Sequence, residues 1–336
     1  MEEEQISGES STGEELFQPQ VELDSFRRSV IQVKEEIGKV IVGQDEMVEL
    51  LIAALLADGH VLIEGVPGIA KTLSAKLLAR SLEIPFSRIQ FTPDLMPSDV
   101  IGTSVFNPES RNFEFREGPI FSQVVLIDEI NRAPAKTQAA LFEVMEERQI
   151  TTDGNSRQLE QPFMVIATQN PIEQEGTYRL PEAQLDRFIF NIKVDYPSEE
   201  DELKILSAHQ ERKGVEETSL VQAVMPKKEI KAYQQIVREI KIEENLLRYI
   251  VSLIQKTRNS KEIYLGASPR ASLGILATGK ALAAIRGRDF VTPEDIQRVA
   301  LPVLRHRIIL TPEREMEGGS PEEAIRNLLE QVEIPR

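Results

Sequence analysis

The 336-residue chain contains no cysteine, which excludes disulfides, thiolate zinc sites and a cysteine nucleophile. It has no tryptophan and only 5% aromatic residues, too few for an aromatic platform on which bases would stack. Its three histidines, His60, His209 and His306, are far apart and match no metal-ligand spacing, so they read as unrelated surface or packing residues. No apolar run approaches the eighteen or so residues of a membrane span. The opening "MEEEQISGESSTGEELFQPQ" is acidic and polar, unlike a signal or transit peptide. These features together favour the cytoplasm. Positive charge is also short. Lys and Arg number 39 against 55 Asp and Glu, a net charge of −16, which argues against phosphate-backbone binding over the whole surface but leaves room for a local basic pore.

The hydrophobic fraction, 41%, is ordinary for a soluble globular chain, and the length suits two domains. Residues 1–20 lack apolar periodicity and read as a disordered acidic tail. From "VELDSFRRSVIQVKEEIGKVI" apolar residues recur at helical spacing, and "GQDEMVELLIAALLADG" continues as a second helix with Gly59 as its stop. Short apolar runs then alternate with helices: "HVLIEG", "KTLSAKLLARSL", "PFSRIQF", "VVLIDE", "PAKTQAALFEVMEER", "PFMVIATQN" and "LDRFIFNIKVDYP". That alternation predicts an α/β fold with a parallel sheet covered on both faces, over residues 21–200. Two hairpins interrupt it, "SVFNPESRNFEF" around an Asn-Pro turn and "QITTDGNSRQL" around Asp153-Gly154. They are either working parts or surface decoration. Residues 201–336 are mostly helical. Ser198 and Thr292-Pro293-Glu294-Asp295 mark helix starts.

"GVPGIAKT", residues 65–72, follows a strand and opens a helix, as a phosphate-binding P-loop does. There backbone N–H groups and the helix dipole favour an anion. Gly65 and Gly68 permit tight turns, Val66, Pro67 and Ile69 complete the loop, and Leu73 follows it. Lys71 would reach the β- and γ-phosphates, and Thr72 would ligate Mg²⁺. The usual second glycine is Ala70, which still offers a backbone N–H. Alanine disfavours positive φ, so the helix is expected to have begun by that residue. In "VVLIDEIN", Asp128 and Glu129 leave a buried strand, a costly place for two carboxylates without work. Asp128 suits Mg²⁺ and Glu129 the activation of attacking water. Asn170, at the end of the next apolar strand, suits a water and the γ-phosphate, or simply a turn before Pro171. Arg187 lies in "LPEAQLDRF". Arg270 lies in the first turn of a helix, where the dipole disfavours a cation unless an anion is near.

With these residues in order, the chain resembles the MoxR-like family of AAA+ ATPases from about residue 25 onward. The likeness rests on "GVPGIAKT", "PSDVIG", "LIDEINRAP", "ALFEVMEERQ", "ATQNP", "EGTYRLPEAQLDRF" and "GASPRA". Alanine before the P-loop lysine is that family's usual form. The resemblance implies a P-loop α/β domain, an all-helical lid, ATP with Mg²⁺, and a homo-oligomeric ring, usually hexameric, with ATP between subunits. It makes Lys71 and Thr72 the Walker A residues, Asp128 and Glu129 Walker B, Asn170 sensor 1, Arg187 the arginine finger and Arg270 sensor 2. Val40, Ile41, Val42, Gly43 and Gln44 fall at the adenine pocket. The hairpins match the helix-2 insert and the hairpin before sensor 1. Arg179 stands where relatives often have proline. In related magnesium chelatases and replicative helicases the lid is displaced, so Arg270 could serve its own site or a neighbour's. The implied function is an ATP-driven remodeller of protein clients acting with a von Willebrand factor A domain partner. One rival is a nucleic-acid motor, disfavoured because the first hairpin has only Arg111 near its tip and the second only Arg157. The other is an ATP-dependent docking switch, which would need neither Glu129 nor Arg187.

Overall fold

The computed structural model describes residues 18–152, 154–170 and 178–335. Most of the expected tail, residues 1–17, lies outside them, whereas Gln18 already opens the first helix, α1 (Gln18–Gly38). After α2 (Asp45–Leu56) the left-handed turn falls on Asp58 (φ 55°), one residue before the expected stop at Gly59. Glycine is needed at 59 for a different reason: a Cβ there would strike the Ile189 side chain at 2.5 Å.

The chain then runs through β1 (His60–Gly65), α3 (Lys71–Ser81), β2 (Phe86–Gln90) and α4 (Pro97–Ile101). The hairpin β3 (Gly102–Asn107) and β4 (Asn112–Glu117) precedes β5 (Val124–Asp128) and α5 (Ala135–Glu147). A second hairpin, β6 (Gln149–Thr152) and β7 (Asn155–Gln158), leads to β8 (Met164–Gln169), α6 (Glu182–Leu185) and β9 (Phe188–Val194). The sheet has the order β2-β5-β8-β1-β9, and every pairing in it is parallel. The central strands β5 and β8 read as apolar runs because both faces are covered, whereas the edge strand β2 carries polar residues. Val61 and Ile63 join a core shared with α1 and α2, while Leu62 between them joins the opposite core with Phe142 of α5.

Both hairpins form as expected, with Asn107 opposite Asn112 and Thr152 opposite Asn155. Asp153 of the second turn is outside the described residues; Gly154 takes φ 76°. The hairpins touch: the Arg157 guanidinium lies 4.4 Å from the centre of the Phe115 ring.

After α7 (Glu199–Arg212), the C-terminal part contains α8 (Lys227–Glu239), α9 (Glu244–Asn259), β10 (Ile263–Leu265), α10 (Pro269–Ile285) and α11 (Pro293–Leu304). It ends with β11 (Ile309–Leu310), α12 (Pro312–Met316) and α13 (Pro321–Gln331). Its helices are amphipathic; α9 buries Leu246, Tyr249, Ile250, Leu253 and Ile254 at helical spacing. Ser198 caps α7 by accepting from the Asp201 N–H, and Thr292 and Asp295 form the capping box of α11. A feature not expected from the sequence is the short antiparallel β10–β11 ladder. The helices of this lid share one apolar core with α1, α2 and a face of the sheet. Among the described residues no helix is long and apolar enough to cross a membrane.

Candidate functional site

In a parallel sheet, ligands sit beyond the carboxyl ends of the strands. At that edge β1 ends at Gly65, β5 at Asp128 and β8 one residue before Asn170. The loop after β1 depends on glycine at its first position. A Cβ on Gly65 would lie 2.6 Å from the Val194 carbonyl oxygen. Gly68 takes φ 85°. Ala70 departs from expectation: it is not yet helical but left-handed, with φ 61° and ψ 19°. The helix begins only at Lys71, and its first bond runs from the Ser74 N–H to the Ala70 carbonyl at 2.8 Å. Ser74 Oγ donates to the same oxygen at 3.0 Å. This leaves the Ala70 N–H unclaimed by the helix. The left-handed conformation costs a residue with a Cβ about 1–2 kcal/mol.

Lys71 Nζ donates to the Gly65 carbonyl at 2.5 Å, folding back over the loop. Burial lowers its pKa, against the opposing pull of Asp128 and Glu129. Asp128 is buried, and its carboxylate receives Thr168 Oγ1 at 3.0 Å, Arg88 Nε at 2.6 Å and, more weakly, Thr72 Oγ1 at 3.4 Å. A threonine hydroxyl beside a carboxylate is a hard oxygen pair that fits Mg²⁺. Among the described residues no group of three or more His, Cys, Asp or Glu side chains could hold a metal alone. A cation at Asp128 would therefore rely on nucleotide oxygens and water for its remaining ligands. Glu129 sits at φ 57° directly after β5, with its N–H bonded to Thr168 Oγ1 at 3.0 Å. Its carboxylate accepts from Gln90 Nε2 at 2.6 Å and pairs with Arg132 Nε at 3.1 Å. Asn170 is buried at the same edge, one residue past Gln169, which lies opposite Glu64 of β1.

Beside the loop is a cavity of about 240 Å³, lined by Val40, Ile41, Val42, Gln44, Gly68, Ile69, Ala70 and Leu73. Pro197 just before α7, Ile205, Leu206, His209 and Arg212 of α7, and Glu217 beyond it complete the lining. Gly43 does not line this cavity; it takes φ 74° and packs against Asp201, whose carboxylate occupies the space of a Cβ.

Arg187 and Arg270 lie elsewhere. Arg187 immediately precedes β9, whose first residue pairs with His60 at the start of β1. It therefore stands at the amino edge of the sheet, about 17 Å along β1 from the P-loop at 3.3 Å per residue. Arg270, in the first turn of α10, joins it there. Glu146 at the end of α5 receives Arg270 Nη2 at 2.6 Å and approaches Arg187 Nε at 3.6 Å. The structure thus forms two clusters, Lys71–Thr72–Asp128–Glu129–Asn170 and Arg187–Arg270–Glu146. Arg179 is in neither: it is exposed and pairs with Glu182 at 3.7 Å.

Residues 60–190 match the model of the ATPase family associated with various cellular activities (AAA), and residues 255–328 match the AAA lid domain. Chaperone MoxR1 of Mycobacterium tuberculosis is 44% identical, over 94% of this chain and 84% of its own. The uncharacterized protein YeaC of Bacillus subtilis is 46% identical, over 90% and 93%. The chain belongs to the MoxR-like family of AAA+ ATPases. A crystallised protein from Cytophaga hutchinsonii, assigned as an ATPase, superposes with a TM-score of 0.89 at 42% identity, covering 96% of this chain and 100% of that one. The MoxR-like chain accordingly has the AAA+ α/β fold with its lid and hydrolyses ATP.

Sequence reading missed several groups of this MoxR-like site. Arg88 and Gln90, two apart on β2, lie opposite Leu126 and Asp128 of β5 and reach the carboxylates of Asp128 and Glu129. The signal was a polar residue at alternate positions of "SRIQ" in a strand destined for a covered sheet. Leu206 and His209 were missed because α7 buries none of its residues and has no core stripe.

Proposed function

We propose that this ATPase works as a ring, with ATP bound at one subunit's P-loop and cut with the help of two arginines from the next. The observation that carries this reading is the position of Arg187 and Arg270 at the sheet edge opposite Lys71 and Asp128. Neither is placed to serve its own nucleotide, and both are together. This favours a neighbour's site for Arg270, the question the sequence left open.

Within the site, Lys71 neutralises the β- and γ-phosphates, and the loop N–H groups from Gly68 to Thr72 hold them. Adenine occupies the cavity between Val40, Ile41, Val42, Gln44 and α7. Thr72 and Asp128 would hold Mg²⁺, which would offset the negative charge of the phosphates. Glu129 takes the proton of the attacking water, Asn170 orients that water, and the neighbour's Arg187 and Arg270 stabilise charge on the γ-phosphoryl group.

The work done is remodelling of protein clients, with a von Willebrand factor A domain protein as partner. The name chaperone carried by the relative MoxR1 supports the first part. The partner comes from family likeness alone. A nucleic-acid motor is less well supported: the Arg157 guanidinium is already engaged with the Phe115 ring.

Subunit mixing tests the reading. Arg187→Ala and Lys71→Ala proteins should each be inactive, yet a mixed ring should regain turnover, because a Lys71→Ala subunit still offers an intact Arg187. Mixed rings that form but stay inactive would refute action across the interface, as would activity in a strictly monomeric preparation.

A further inference from the structure

We propose that Arg307, a buried arginine just after α11, is the positioning residue that sets Arg187 and Arg270 as one unit for the neighbouring site. The inference rests on the ring reading above and deepens it.

The Arg307 side chain is 3% exposed. A guanidinium has five N–H groups. Here all five are used: Nε donates to Asp186 Oδ1 at 2.7 Å, Nη2 to the carbonyls of Asp186 at 3.0 Å and Phe188 at 2.6 Å, and Nη1 to those of Val303 at 2.5 Å and Ile189 at 3.2 Å. Three of the four residues it grips flank Arg187 on both sides. The peptide that carries Arg187 is therefore fixed by the lid, not by the sheet alone.

The network continues to the second arginine. The other oxygen of Asp186, Oδ2, accepts from Ser268 Oγ at 2.8 Å. Ser268 is the N-cap of α10, and its Oγ accepts from the Arg270 N–H at 3.1 Å. One carboxylate thus joins the clamp on Arg187 to the cap of the helix bearing Arg270. The two side chains meet again at Glu146. Burying a charged pair is a poor way to gain stability, since apolar replacements of such pairs are often neutral or better. What an apolar side chain cannot supply is five directed bonds around one backbone segment. A misplacement of about 1 Å in a reacting group costs on the order of 10²-fold in rate.

The test uses the full-length protein and the Arg307→Met variant, which keeps the bulk and removes the bonds. ATP affinity should stay within about twofold and ring formation should persist, while kcat falls on the order of 10²-fold. Mixing then locates the defect. Rings of R307M with K71A should regain activity, because K71A supplies correctly placed arginines to intact R307M sites. Rings of R307M with R187A should not, because neither partner supplies them. A merely structural role would not give this asymmetry. Should R307M fail to fold, R307K carries the same test: it keeps the charge beside Asp186 but lacks the fork for the carbonyls. The proposal is overturned if folded, ring-forming variant turns over at close to the normal rate, or if R307M with R187A recovers. It is also overturned if R307M with K71A stays dead while R187A with K71A recovers. If R187A with K71A itself fails in rings shown to be mixed, the ring reading falls and this proposal with it.

Discussion

Gln90 Nε2 donates to Glu129 Oε2 at 2.6 Å, so the carboxylate proposed to activate water is tied to a neighbouring strand. Arg132 holds the same oxygen at 3.1 Å. Hydrogen bonds to charged groups contribute about 1.5–3 kcal/mol each. Both bonds fall on Oε2, so Oε1 can still take a proton, but together they restrain where the carboxylate can reach. Two variants separate holding from chemistry. Glu129→Gln should bind ATP normally and hydrolyse it about 10²–10⁴-fold more slowly, the usual share of a general base. Gln90→Ala should raise basal turnover, because one restraint on Glu129 is gone. Steady-state phosphate release measures both. A Gln90→Ala protein slower than wild type would mean that the bond persists in the working site.

The left-handed Ala70 gives a second prediction. Glycine there removes a conformational penalty of about 1–2 kcal/mol but adds about 0.5–1 kcal/mol of chain entropy to the unfolded state. Ala70→Gly should therefore be neutral or stabilising by about 1 kcal/mol, with ATP binding retained. Ala70→Val puts a β-branched residue at φ 61° and should lose both stability and ATP affinity. Thermal melts and nucleotide titration check this pair. A clear destabilisation by glycine would show that the methyl group does packing work that outweighs its strain.

Alanine's normal avoidance of positive φ is also why the sequence misled at that position. Composition states a preference, and here the loop geometry overrides it, with Ser74 bonding the Ala70 carbonyl twice. The sheet was legible because strands such as β5, buried along their whole length, read as continuous apolar runs. Lys71, Thr72, Asp128 and Glu129 stood out because each follows or closes such a run or opens the helix after it. Gln90 and Arg88 were not, because their role depends on which strand lies beside β2, a long-range fact. Arg307 was hidden for a related reason. A basic residue after a helix looks like a solvent-facing charge, and only the fold buries it against Asp186.

Leu206 supplies a third prediction. Helix α7 buries none of its residues, and Leu206 is 63% exposed, yet it lines the cavity beside the P-loop. An apolar side chain left open beside Val42 and Ile41 is suited to cover a flat base. Truncating it should cost binding and not folding. Covering part of a leucine stabilises by about 1–1.5 kcal/mol, so Leu206→Ala should weaken ATP binding up to about tenfold with little change in melting temperature. Calorimetric titration decides it. Unchanged affinity would move the base elsewhere.

The last prediction concerns pH and a residue far from the phosphates. His60 opens β1 and is fully enclosed. Its Nδ1 accepts from the Val165 N–H at 3.0 Å, and Nε2 lies 3.2 Å from the Met145 carbonyl, so the ring is neutral with its proton on Nε2. A second proton would have to point at the Val165 N–H. Burial pushes the pKa down to about 3, and the Arg148 guanidinium acts in the same direction. In the unfolded chain the value returns to about 6.5. Between those two values the unfolded chain binds a proton that the folded one refuses, so acid favours unfolding. The contribution of His60 is fully present above about pH 6.5 and declines as pH falls toward 3, at about 1.4 kcal/mol per pH unit. By pH 5 the loss is about 2 kcal/mol. His306 is held neutral by burial in the same sense and adds to the slope. Glutamine at position 60 can accept from Val165, donate to Met145 and never titrate. His60→Gln should thus lose less melting temperature between pH 7 and pH 5 than the wild type does, even if it starts lower. Parallel curves for the two proteins would show that His60 does not carry the acid sensitivity.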